Sequence, residues 1–147
     1  MFWFEKENPD VTFIDCRVET HELCDGRELI VNPDVVASFE NLPFEDESFY
    51  HVVFDPPHLL YAGRTSWMAK KYGSLDRGWE QLIRKGFKEC FRVLKPNGTL
   101  VFKWNETDIP ISKVLKLTDV SPLYGHKSGK QQKTHWVCFI KPVEGYT

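Results

Sequence analysis

Apolar residues change their spacing several times along the chain, and each change marks a candidate element. Val11-Thr12-Phe13-Ile14-Asp15 is a short β-branched and aromatic run closed by an acid, which predicts a strand. Leu23-Cys24 and Glu28-Leu29-Ile30-Val31 flank Asp25-Gly26, a dipeptide that tolerates the positive φ of a tight turn, so a hairpin is expected there. Val35-Val36-Ala37-Ser38 predicts another strand, and Asn41-Leu42-Pro43-Phe44-Glu45-Asp46 a loop broken by proline. Tyr50-His51-Val52-Val53-Phe54 is nearly continuous in apolar character, as in a strand covered on both faces, and it stops at Asp55-Pro56-Pro57.

The second half has the longest periodic segment. Trp79, Leu82, Ile83, Phe87, Cys90, Phe91 and Leu94 form one apolar stripe, which predicts a helix over residues 76–94 with Asp76 as its N-cap. Lys95-Pro96-Asn97-Gly98 supplies a stop, and Thr99-Leu100-Val101-Phe102-Lys103-Trp104 returns as a strand. A short helix over 110–116 and a last strand over 134–140 complete the pattern. A long amphipathic helix between two apolar strands points to an α/β sandwich with a mainly parallel sheet. In such sheets ligands sit at the carboxyl ends of strands, which directs attention to Asp15, Ser38-Phe39, Asp55 to His58 and Asn105 to Thr107. These positions are expected to converge.

Composition narrows the partners. A chain of 147 residues with 41% hydrophobic content predicts one domain, 1–147. Its net charge of -2 supplies no global basic field, so any nucleic-acid contact must be local. No apolar run approaches the roughly 20 residues that span a bilayer, and Met1 to Lys6 lacks a signal pattern, so a cytoplasmic protein without membrane contact is expected. Cys16, Cys24, Cys90 and Cys138 contain no CxxC pair, and His21, His51 and His135 have no ligand spacing, so no metal is expected and the thiols read as reduced and buried.

Asp55-Pro56-Pro57-His58 is the most informative tetrapeptide. Two prolines fix φ and remove two backbone donors, so the segment is stiff. A carboxylate followed by a proline carbonyl offers two acceptors at a fixed separation, suited to the two N–H donors of a planar amino group, with the ring at position 58 stacking on the heterocycle. By themselves the four residues fit a proline-stiffened turn with a solvated aspartate equally well.

Context adds a family. The segments Asn41 to Phe49, Val52 to His58 and Cys90 to Phe102 together resemble the class I S-adenosyl-L-methionine-dependent methyltransferases, over roughly residues 11–141. Within that superfamily the Asp-Pro-Pro-aromatic tetrapeptide is typical of enzymes that methylate exocyclic amino groups, chiefly N6 of adenine and N4 of cytosine in DNA. Asp55-Pro56-Pro57-His58-Leu59 with Phe102-Lys103-Trp104-Asn105-Glu106-Thr107 looks like a small group found in phages and prophages. The resemblance implies a Rossmann-like methyltransferase sandwich with S-adenosylmethionine as cofactor. It implies that Asp15 accepts from the cofactor's ribose hydroxyls, and that Ser38, Phe39, Asn41 and Leu42 line its adenine ring. Asp55 and the Pro56 carbonyl would then hold the target amino group, and Pro57-His58 would cover the base.

The sequence departs from the family in three places. No Gly-x-Gly occurs and no glycine precedes Gly26, so the glycine-rich cofactor loop and the first strand are expected to be missing, leaving an N-terminally incomplete domain. Neighbouring edges and apolar faces would then be exposed, with Phe2, Trp3 and Phe4 or a second chain as covers, so a homodimer or a partner subunit is expected. Ser38 stands where many relatives carry an acid. His58 replaces Tyr, Phe or Trp, so a base pocket sensitive to pH near neutrality is expected, since histidine ordinarily titrates near pH 6.5.

Two basic, aromatic-rich segments complete the candidate site. Arg64, Lys70, Lys71 and Arg77 are interleaved with Tyr61, Trp67 and Tyr72, and His126, Lys127, Lys130 and Lys133 are expected in a Gly-containing loop before the last strand. With Asn105 they suit a nucleic-acid strand whose phosphates are neutralised and whose bases stack, and they equally suit solvated loops. The leading expectation is methylation of a DNA base. Methylation of RNA, protein or a small molecule, and a non-catalytic binding module, are the alternatives.

Overall fold

The computed structural model of the protein describes residues 3–63 and 66–143, and only the backbone of Trp67, Lys71 and Tyr72. The chain forms two compact units, Met1–Phe39 and Glu40–Thr147.

The first unit contains β1 (Ile14–Asp15), β2 (Glu19–Glu22), β3 (Glu28–Val31) and β4 (Val35–Val36). β1 and β4 pair in parallel, with Ile14 opposite Val35, and Asp34 Oδ2 accepts from the Phe13 N–H at 2.7 Å. β2 and β3 form the expected antiparallel hairpin, in which Gly26 takes a φ of 81° that suits its missing side chain. Trp3 packs edge-on against Phe13, with ring centroids 5.0 Å apart. Phe4 is exposed and so covers nothing, while Phe2 lies outside the described residues.

The second unit contains β5 (Phe49–Phe54), α1 (Trp67–Tyr72), α2 (Trp79–Val93), β6 (Leu94–Asn105), α3 (Ile111–Val114) with a 3-10 turn (Leu115–Leu117), β7 (Tyr124–Ser128) and β8 (Thr134–Ile140). Its sheet runs β5-β6-β8-β7. β5 and β6 are parallel, whereas β6–β8 and β8–β7 are antiparallel. The sheet is thus mixed, which corrects the mainly parallel expectation. A parallel return needs a long crossover, and α2 provides one between β5 and β6; the short link between β7 and β8 permits only a hairpin.

The core lies on one face of this sheet. α2 presents buried Ile83, Phe87, Cys90 and Val93, and the strands present buried Phe54, Leu100, Phe102 and Phe139. Phe87 is the hub, with ring centroids 5.6 Å from Phe54, 4.8 Å from Phe102 and 5.9 Å from Phe139. The N-cap of α2 is Gly78 in the left-handed region, so the expected Asp76 cap is corrected; Asp76 contributes only its carbonyl, which accepts from the Trp79 N–H at 3.2 Å. The predicted stop over 95–98 is a bulge inside β6, since Phe49 lies opposite Leu94 and His51 opposite Thr99. Gly98 is required there because a Cβ would sit 2.7 Å from the Lys95 carbonyl oxygen. The four cysteines are free thiols, but only Cys90 and Cys138 are buried; Cys16 and Cys24 are exposed on the first unit, contrary to expectation.

Candidate functional site

Strand register assembles the centre of the site. Phe54 pairs with Phe102, so Asp55, the next residue, comes alongside Lys103, whose Nζ donates to Asp55 Oδ2 at 3.0 Å. Along β6, Leu100, Phe102 and Trp104 are buried on the core face, while Val101, Lys103 and Asn105 alternate onto the other. β8 places Trp136 opposite Lys103 and Thr134 opposite Asn105, and β7 places His126 opposite Trp136. Asp55, Lys103, Trp136 and His126 therefore form a row across the sheet, Asp55 just past the end of β5 and the others on β6, β8 and β7. Lys103 Nζ lies 5.7 Å from the Trp136 ring centroid, and Trp136 Nε1 donates to Ser128 Oγ at 3.0 Å.

Beside this row is a cleft of about 140 Å³ lined by His58, Met68, Lys103, Asn105 and Thr134. It sits at the carboxyl ends of β5 and β6, where the ligand rule for parallel pairs puts it. Cavities of about 150 Å³ admit a single aromatic ring. Asn105 is a wall fixed by its own bonds: Nδ2 donates to Thr134 Oγ1 at 3.2 Å, and Oδ1 accepts from the Thr107 N–H at 3.0 Å.

The tetrapeptide and the residues that follow it are pinned from three directions. Gly73, which caps α1 with a φ of 75°, leaves only 3.0 Å between a would-be Cβ and Pro57 Cγ. The Leu75 N–H donates to the Leu59 carbonyl at 2.7 Å. Asp108 Oδ2 accepts from the N–H groups of Leu60 and Tyr61 at 2.7 and 3.2 Å. Pro56 and His58 are buried and Asp55 is exposed, so the carboxylate is the open part of the segment. The His58 ring stands edge-on to Trp104 at 6.2 Å, and Trp104 Nε1 is satisfied by the Ile109 carbonyl at 2.9 Å. Burial pushes the His58 pKa below its ordinary value, against the raising effect of Asp55 and with the lowering effect of Lys103. Burial therefore disfavours the charged form of the ring.

Asp15 ends β1 as expected, but its carboxylate is already engaged. Arg17 donates to Oδ1 from its backbone N–H at 2.9 Å and from Nε at 3.0 Å, and to Oδ2 from Nη2 at 2.9 Å. A carboxylate has about four acceptor positions, so these bonds leave room for one hydroxyl rather than two. Ser38 and Phe39 are half-buried in the first unit; Asn41 and Leu42 belong to the second, the former exposed and the latter buried. Leu42 is fastened to α2, its N–H donating to Glu89 Oε2 at 2.8 Å and its carbonyl accepting from Arg92 Nη2 at 3.0 Å. Arg92 also bridges to Glu89, Asp46 and the Phe44 carbonyl, and holds the Glu89 carboxylate below its usual range.

Among the expected substrate residues, Arg64 and the Lys71 side chain lie outside the described set, and Lys70 is half-buried in α1. His126 and Lys127 are exposed on the edge strand β7, not in a loop; Lys130 and Lys133 lie in the β7–β8 turn. Lys127 Nζ is 3.9 Å from Glu106 Oε1, which also lies 2.9 Å from Nε2 of buried His135, off the line of a ring N–H bond. His135 and the Ile111 N–H hold the Glu106 carboxylate below its usual range. Lys103, Thr134, Met68 and Asp108 were given no role from sequence. For Lys103 a signal existed: it is a lone cation in an otherwise apolar strand that ends at the candidate site. Among the described residues no group of three His, Cys, Asp or Glu could hold a metal ion, and no helix is long and apolar enough to cross a membrane.

No protein-family model and no curated protein matches the sequence. Among solved structures, the PH0226 protein from Pyrococcus horikoshii is similar over 73% of this chain and 58% of its own, with a TM-score of 0.53 at 15% identity. A protein from Thermus thermophilus, provisionally described as a DNA modification methylase, is similar over 71% of this chain and 49% of its own, with a TM-score of 0.45 at 17% identity. The chain thus spans about half the length of these structures. The first likeness shows a shared α/β fold.

Proposed function

We propose that the protein is an S-adenosylmethionine-dependent methyltransferase acting on an exocyclic amino group of a DNA base, N6 of adenine or N4 of cytosine. The observation that carries this reading is the open, rigidly held Asp55 beside a cleft the size of one aromatic ring, at the carboxyl end of a parallel strand pair. The cleft suits a base and is too small for the whole cofactor, since pockets for drug-sized ligands run to roughly 300–1,000 Å³. S-adenosylmethionine, which when bound supplies an electrophilic methyl group, would be held in the first unit by Asp15, through its remaining acceptor position, with Ser38 and Phe39.

The chain's own part is positioning. Asp55 and the Pro56 carbonyl accept the two amino N–H bonds and align the nitrogen lone pair. As that nitrogen becomes positive, the Asp55 carboxylate stabilises the charge and takes up the departing proton. His58, buried, walls the cleft and keeps water out. A base within a duplex must be flipped to reach this depth. Arg64, Lys70, Lys71, Asn105, His126 and Lys127 are the candidates for holding the nucleic-acid strand, alone or with a second copy or partner subunit.

A second reading is favoured by one observation. Both carboxylates the chemistry needs are held by cations, Asp15 by Arg17 and Asp55 by Lys103, as suits a non-catalytic nucleic-acid-binding module. Calorimetric titration with S-adenosylmethionine, then methyl transfer to DNA with Asp55→Ala as control, separates the two. Saturable binding and transfer lowered at least a hundredfold by Asp55→Ala are expected; DNA binding without cofactor binding establishes the module.

A further inference from the structure

We infer that Lys103 is a base-recognition residue: paired with Asp55, it reads the amino group of the target base together with the adjacent ring nitrogen. The inference rests on the base-methylation reading and adds a residue to it.

The geometry is that of a donor beside an acceptor. Lys103 Nζ and Asp55 Oδ2 are 3.0 Å apart, and Lys103 lines the ring-sized cleft. Adenine carries N1 beside its N6 amino group, and cytosine carries N3 beside its N4 amino group, so both present a donor and an acceptor on neighbouring atoms. Such an edge can replace the ion pair bond for bond. The ammonium turns its N–H from Asp55 to the ring nitrogen, and the amino group donates to the carboxylate, so no polar group is left unmatched. Lys103 is placed to make this exchange because Trp136, its direct neighbour across the β6–β8 ladder, lies 5.7 Å from the ammonium and offers it a π face when the carboxylate is shared. A thymine ring has no amino group and fails the pairing at Asp55. The ion pair also explains how an exposed catalytic carboxylate keeps its orientation before a base arrives.

The test reads binding of small bases, independent of methyl transfer. 9-Methyladenine and 1-methylcytosine are titrated against their 1-deaza and 3-deaza analogues, which keep the amino group and lose the ring acceptor, using the wild type, Lys103→Met and Lys103→Arg. The wild type is expected to bind the parent bases about ten- to a hundredfold more tightly than the deaza analogues, the size of a hydrogen bond to a charged group. Lys103→Met, which keeps the apolar stem, should bind all four probes as weakly as the wild type binds the analogues, and Lys103→Arg should restore part of the preference. Equal binding of parent and analogue by the wild type, or an undiminished preference in Lys103→Met, overturns the role of Lys103. The methyltransferase reading then still stands on cofactor binding and on the Asp55→Ala control. Failure of the wild type to bind any probe overturns the inference as well.

Discussion

At the scale of single residues, the tetrapeptide was legible because its chemistry is contiguous in sequence. The partners of the tetrapeptide and of the residues after it were not, since Lys103 and Asp108 are 47 or 48 residues from the groups they bond and reach them only through strand register and loop closure. His58 was legible as a ring but its burial was not, because burial depends on neighbours the sequence does not place beside it. Its folded pKa lies below the ordinary value of 6.5. Between those two values the unfolded chain binds more protons than the folded one, so stability is intact above about pH 6.5 and falls as the pH is lowered. The urea midpoint of the wild type should drop between pH 7.5 and 5, and His58→Phe should flatten that drop; parallel curves for the two proteins would refute the assignment. Gly73→Ala should cost about 1–3 kcal/mol, measured by urea unfolding, because its φ of 75° with ψ of 177° is open to glycine alone and the added methyl meets Pro57.

At the scale of elements, α2, the hairpin of the first unit and β8 were readable from periodicity, which reports burial. Strand direction was not, because an apolar run in a buried antiparallel strand looks the same as one in a parallel strand. α2 also has a second task that its apolar stripe does not advertise. Its polar side carries Glu89 and Arg92, which tie down Leu42, Phe44 and Asp46 on the segment that enters β5. Arg92→Ala should release that segment and leave Glu89 without its partner, costing about 1–3 kcal/mol by analogy with bonds to charged groups. Amide exchange locates the effect: the Leu42 N–H should lose protection before the amides of β8 do. Because Arg92 lowers the Glu89 pKa below 4.5, this stabilisation holds above about pH 4.5 and fades as acid protonates the carboxylate.

At the scale of the whole molecule, the division into two units distributes the thiols usefully. Cys16 and Cys24 are exposed in the first unit, and Cys90 and Cys138 are buried in the second, with burial pushing the Cys90 thiol far up. Alkylation of the native protein followed by mass spectrometry should modify the first pair within minutes, and the second pair only at the rate at which the second unit opens. Early modification of Cys90 would contradict the packing beneath α2. The row of Asp55, Lys103, Trp136 and His126 bears on how this protein can change over generations. Adjacent strands lie about 4.8 Å apart, so the row is a ruler of about 14 Å set by the sheet. Loops at the far ends of the strands can lengthen without moving its marks. Deletion of His135, which separates Thr134 from Trp136, would turn Trp136 into the core if Thr134 kept its place at the cleft, so β8 should vary in its side chains yet hardly ever in its length.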